Sequence, residues 1–142
     1  MTKALSNWFC ATALAWTLVA TSSTRAADFG QLGPYPLTES VVTVSRADTT
    51  TFEALLFYPA SPSVTSLPVV VFAHGFLSPP ELYRTTCRHI ASWGYVLIAS
   101  RSGLEPFPSH AAYARDLSDC LTWVITANSA NGSPLAGRIA TG

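Results

Sequence analysis

The chain has 142 residues, of which 49% are hydrophobic and 11% charged, and eight Lys or Arg balance eight Asp or Glu for a formal net charge of zero. That length holds one domain at most. The composition excludes a disordered chain, and the lack of any basic run excludes nucleic-acid binding driven by phosphate neutralisation.

The first segment reads as a Sec-type signal peptide over residues 1–26. Lys3 supplies a small positive region, Trp8 to Ala20 is mostly apolar, and Thr24-Arg25-Ala26-Ala27 offers a cleavage site after Ala26 or Ala27. The apolar core is short for a membrane span. The expectation is therefore a secreted or periplasmic chain with no stable membrane span after cleavage, an uncleaved anchor being the alternative. Cleavage removes Lys3, Cys10 and Arg25 and leaves a domain, 27–142, with six Arg against eight acids, a net charge of −2.

Residues 28–38 carry Gly30, Gly33, Pro34 and Pro36 and read as an irregular lead-in. Val41 to Ser45 and Phe52 to Tyr58 read as two strands joined by an Asp48-Thr49-Thr50 turn, an antiparallel hairpin. A Pro- and Ser-rich loop follows. Val69 to Ala73 is then apolar without a break, bounded by Pro68 and by His74-Gly75-Phe76. A short unbroken apolar run is the pattern of a strand buried on both faces of a parallel sheet.

A helix is expected next, with Ser78 as N-cap, Pro79 at the first position and Glu81 closing a capping box. Its buried stripe is Tyr83, Cys87, Ile90 and Ala91, and Gly94 ends it. Tyr95 to Ala99 reads as a further strand and 101–108 as a loop. Ser109 caps a second helix, whose apolar face is Ala114, Leu117, Leu121 and Val124 and which frays near Asn128 to Pro134. Leu135 to Gly142 shows no structure of its own. The β-α-β-α alternation after the hairpin implies a parallel sheet with helices on its faces, so the fold class is α/β.

The His74-Gly75-Phe76 step has two readings at this level. It can be an ordinary strand-to-helix turn that needs Gly for its backbone angles. It can also be a device that aims backbone N–H groups at the spot where an acyl carbonyl becomes an oxyanion. Cys87 and Cys120 have no Cys-x-x-Cys spacing and make no zinc site, and nothing in the sequence points to a metal or an organic cofactor.

Leu67-Pro-Val-Val-Val-Phe-Ala-His-Gly-Phe76, Tyr83, and His89-Ile-Ala-Ser-Trp-Gly-Tyr-Val-Leu-Ile-Ala99 resemble the first half of an α/β-hydrolase. They are most similar to the branch of dienelactone-hydrolase-like, chlorophyllase-like and cutinase- or polyester-hydrolase-like esterases. The resemblance covers roughly residues 38–138. It implies the N-terminal part of a secreted serine carboxylic-ester hydrolase acting on a small-molecule ester or lipid-like substrate. In it Phe76 donates a backbone N–H to the oxyanion, His74 holds the turn, and Gly75 lets the backbone approach the ligand. The same resemblance places a neighbouring strand on each side of the His-Gly strand and the two helices on opposite faces. Cys87 and Cys120 are then separated by the sheet, as two free, buried thiols.

The pattern is incomplete. No Gly-x-Ser-x-Gly occurs in the chain, and the resemblance places that elbow just beyond Gly142, with acid and His later. His89 and His110 are expected to lack catalytic duty, Asp116 and Asp119 to meet water or Arg115, and Asp48 and Glu53 to belong to the hairpin. The expectation is a chain without nucleophile, acid or base that is silent alone. The alternative is a non-catalytic binding module built on half of a hydrolase fold.

Overall fold

A computed structural model describes residues 27–140; the expected signal segment lies outside them. Four strands, β1 (Leu37–Ser45), β2 (Thr51–Pro59), β3 (Val69–Phe72) and β4 (Val96–Ser100), form one sheet in the order β1-β2-β4-β3. β1 and β2 pair antiparallel from Leu37↔Pro59 to Ser45↔Thr51, and β2 meets β4 antiparallel. β3 and β4 are parallel, from Val69↔Val96 to Phe72↔Ala99, and are joined through a 3₁₀ turn, Pro80–Tyr83, and helix α1 (Arg84–Ser92). Helix α2 (His110–Ser129) follows β4. This is the mixed sheet expected of a partial α/β-hydrolase. Among the described residues no helix is long and apolar enough to cross a membrane.

Side-chain alternation splits the core into two layers. Ala54, Leu56, Val96 and Ile98 face one side with Cys120 and Val124 of α2. Leu55, Phe57, Leu97 and Ala99 face the other with Cys87 and Ala91 of α1. Every residue of β4 is buried because both layers cover it, and each such Leu or Ile contributes about 1.5–3 kcal/mol of burial. Cys87 and Cys120 are free and fully buried in opposite layers, as expected.

Four expectations are corrected. The capping box at Ser78 does not form: the Ser78 hydroxyl donates to the Phe76 carbonyl, and the helical segment starts at Pro80 with Pro79 before it and no side-chain cap. Two consecutive prolines pre-set the backbone there, and Pro80 lacks the N–H that a cap would serve. The second helix is rotated. Tyr113 is half-buried and Asp116, Cys120, Val124 and Ala127 are buried, whereas Leu121 and Ile125 are 41% and 55% exposed. The buried stripe carries Asp116, which is paired with Arg46.

The third correction concerns β3. It is half-buried along its length rather than buried on both faces; it lies at the margin of the four-stranded sheet, and among the described residues the only pairing on its outer side is the isolated parallel bridge Leu67↔Ile139, two residues before the strand. The fourth concerns the C-terminal stretch, which is ordered by specific contacts. Leu135 is fully buried. Arg138, 5% exposed, donates to the carbonyls of Pro59, Ser61, Val64 and Pro134 at 2.7–3.1 Å.

Candidate active site

The ladder between β3 and β4 ends at Phe72↔Ala99, so from Ala73 onward the backbone is held by other groups. His74 is buried while Ala73, Gly75, Phe76 and Leu77 around it are exposed. Its N–H donates to the Tyr113 hydroxyl oxygen at 2.9 Å. Its ring lies 4.9 Å, centroid to centroid, from the Tyr113 ring. Nδ1 is 2.9 Å from the Gly75 carbonyl and Nε2 is 2.7 Å from the Ser102 carbonyl. The imidazole thus bridges the loop after β3 to the loop after β4.

Gly75 is closely approached on the other side. A Cβ there would sit 2.9 Å from the Tyr83 hydroxyl oxygen, and Tyr83 is itself packed on Phe72 with ring centroids 5.2 Å apart. Tyr83 and Tyr113, from the two helical layers, therefore bracket the His74–Gly75 step. Gly75 to Ser78 then closes a turn through Ser78 N–H to Gly75 C=O at 3.1 Å. Leu77, its third residue, takes φ +52°, where glycine is the unstrained choice. Phe76 stands at the second position, 65% exposed. Among the described residues its N–H has no acceptor within the fold.

The surroundings are held by charge. Arg101, at the end of β4, binds Glu81 of the 3₁₀ turn at 2.5–2.6 Å and Glu53 of β2 at 2.6 Å. Asp116, expected to meet water or Arg115, is buried and takes two hydrogen bonds from Arg46 at 2.6 and 2.9 Å. This ties α2 to the end of β1. Burial alone would push its carboxyl up, but the bonds and charge of Arg46 outweigh that and hold it below the usual range. Burial raises the Tyr113 phenol despite the His74 amide, so it stays protonated at neutral pH. A cavity of about 520 Å³ lies beside Arg46, Gly103, Tyr113, Asp116 and Asp119, and its lining includes neither His74 nor Phe76.

The other candidates are not brought together. His89 belongs to the last turn of α1, and His110, exposed, opens α2. Asp48 accepts from Thr50, Glu53 from Arg101 and Asp116 from Arg46. Among the described residues there is no Ser-His-acid set in hydrogen-bonding contact, and no group of His, Cys, Asp or Glu that could hold a metal ion. The sequence reading missed Tyr113, Ser102 and the Arg46–Asp116 pair. Tyr113 was within reach: it begins the 113, 116, 120, 124, 127 spacing that is the true buried stripe of α2.

A family model described as Chlorophyllase matches residues 25–125. No curated protein matches the chain significantly.

Proposed function

The chain belongs to the chlorophyllase family, within the α/β-hydrolases, and on that premise we propose that it is the oxyanion-binding part of a secreted or periplasmic serine carboxylic-ester hydrolase. In this reading an ester or lipid-like substrate places its carbonyl oxygen against the Phe76 N–H. That amide supplies half of the oxyanion hole when a serine attacks and the carbonyl carbon becomes tetrahedral. Gly75 leaves room for the acyl group, and the exposed Phe76 ring offers an apolar surface beside it. The serine, its base and its acid come from sequence outside these 142 residues, so the chain alone is catalytically silent. The observation that carries the reading is the Phe76 N–H, which has no acceptor among the described residues, at the end of a strand whose last turn is bracketed by two tyrosines.

The test begins with the coding sequence after Gly142. On this reading the isolated parallel bridge Leu67↔Ile139, just before β3, is the first pair of a further strand. A strand of common length starting there ends within about ten residues, so Gly-x-Ser-x-Gly is expected close after Gly142. The chain carrying that continuation should hydrolyse a short acyl nitrophenyl ester, and residues 27–142 alone should match buffer. A continuation without the elbow, or a soluble 142-residue product that binds esters without cleaving them, would favour the binding module. Mass spectrometry of the exported protein should find its N-terminus at Ala27 or Asp28; an intact Met1 end refutes the signal peptide.

A further inference from the structure

We propose that Tyr113 is a positioning residue for the Phe76 amide, acting through His74; this rests on the ester-hydrolase reading above. The reasoning starts where β3 leaves its ladder. The His74 N–H is captured by a side-chain oxygen from α2, at 2.9 Å, two residues before the amide that meets the substrate. The same Tyr113 ring backs the imidazole at 4.9 Å, and the imidazole contacts the Gly75 carbonyl at 2.9 Å and the Ser102 carbonyl at 2.7 Å.

Tyr113 is itself wedged. Gly103 has φ +74°, and a Cβ there would lie 2.8 Å from Tyr113 Cδ2. The loop after β4 therefore presses its backbone onto one part of the phenol ring while His74 stacks against the ring as well. The hydroxyl oxygen accepts from an amide that lies beyond the last pair of the ladder, Phe72↔Ala99. A phenylalanine at 113 would keep the packing but strand that N–H in a half-buried place, where an unmade bond is costly. The phenol thus sets the direction in which the chain leaves β3, and with it where the Phe76 N–H points.

The test is an amide-resolved comparison of the 142-residue chain and its Tyr113→Phe variant by ¹H–¹⁵N NMR and hydrogen exchange. In the variant the His74 amide should exchange roughly tenfold faster or more, and the Gly75 and Phe76 amide shifts should move. Amides of Val96 to Ser100 should keep their protection. A merely structural role would lower protection across β4 and α2 together and leave the Phe76 shift in place, which overturns the proposal. If Tyr113→Phe does not fold, Gly103→Ala pushes on the same ring from the loop side and should shift the His74 and Phe76 amides; no response there also overturns it. Ester turnover does not enter the readout. Responding amides in a protein shown to lack esterase activity would sink the ester reading alone, and silent amides in an active enzyme would sink the positioning role alone.

Discussion

The two ends of β3 are built in opposite ways. At the N-terminal end Leu67 is 1% exposed, and its N–H and C=O are both taken, by Arg138 C=O and Ala140 N–H at 2.9 Å. The Arg138 guanidinium saturates four more carbonyls there. At the C-terminal end the backbone leaves the sheet, Phe76 keeps an N–H without a partner among the described residues, and Leu77 holds a backbone angle that costs energy. Side chains from both helical layers hold that end, and main chain together with the Arg138 guanidinium seals the other. A strand end committed to stability satisfies every polar group; one suited to meeting a ligand leaves a donor open and fixes its direction from behind.

Breaking the sealed end should have the largest effect. Arg138→Ala leaves the buried Pro59 carbonyl and three partly buried ones without their donor and should cost about 3 kcal/mol, seen as a lower urea midpoint. Since small domains hold only about 5–15 kcal/mol in total, a partly unfolded population at 25 °C is expected. Next is Phe76→Pro, which removes the open N–H while breaking no hydrogen bond found in the fold. In a form that carries its serine, turnover should fall about 10²- to 10³-fold with an unchanged melting midpoint. Equal losses of turnover and stability would erase the contrast between the ends.

The open end is also tied down indirectly, through Asp116. Asp116→Asn should destabilise by about 2 kcal/mol. The Asp116 carboxyl is depressed below its ordinary 3.8, so its contribution is complete above that value and is lost as pH falls through the depressed one. The wild-type chain should therefore lose stability on acidification more steeply than the Asn variant; identical acid profiles would show the pair contributes nothing. The smallest effects should come from the thiols. Burial pushes Cys87 up to about 11 and Cys120 up to about 12, so neither should react with an alkylating agent at pH 8 until the chain is denatured. Denatured, unreduced protein should then label at two sites if residues 1–26 are removed and at three if Cys10 remains.

The difference between the ends was half legible in the sequence. His74-Gly75-Phe76 after an apolar run marked the open end, because a glycine between a strand and a helix is a local, contiguous signal. Arg138 was passed over because its four acceptors lie in a loop more than 70 residues earlier and in the turn just before it. Asp116 was misplaced for the same reason: helical spacing sorts apolar from polar, and a buried carboxylate is recognisable only once Arg46, 70 residues away, is seen beside it. The Ser78 capping box satisfied every local rule and still lost to Pro79-Pro80, which turned the hydroxyl to Phe76.

What the amino-acid order determined by itself was the set of elements, the α/β class of the sheet and the site of the critical turn. Each follows from the periodicity of apolar residues, the backbone freedom of Gly and the fixed φ of Pro, which act within a few residues. The separation of the two thiols came only with the resemblance to a known fold. What tertiary structure alone decided was which groups hold that turn, how α2 is rotated, and how Arg138 fastens the C-terminal stretch. These depend on charges and hydrogen-bond acceptors brought together across the chain, and no local pattern encodes a partner that is distant in sequence.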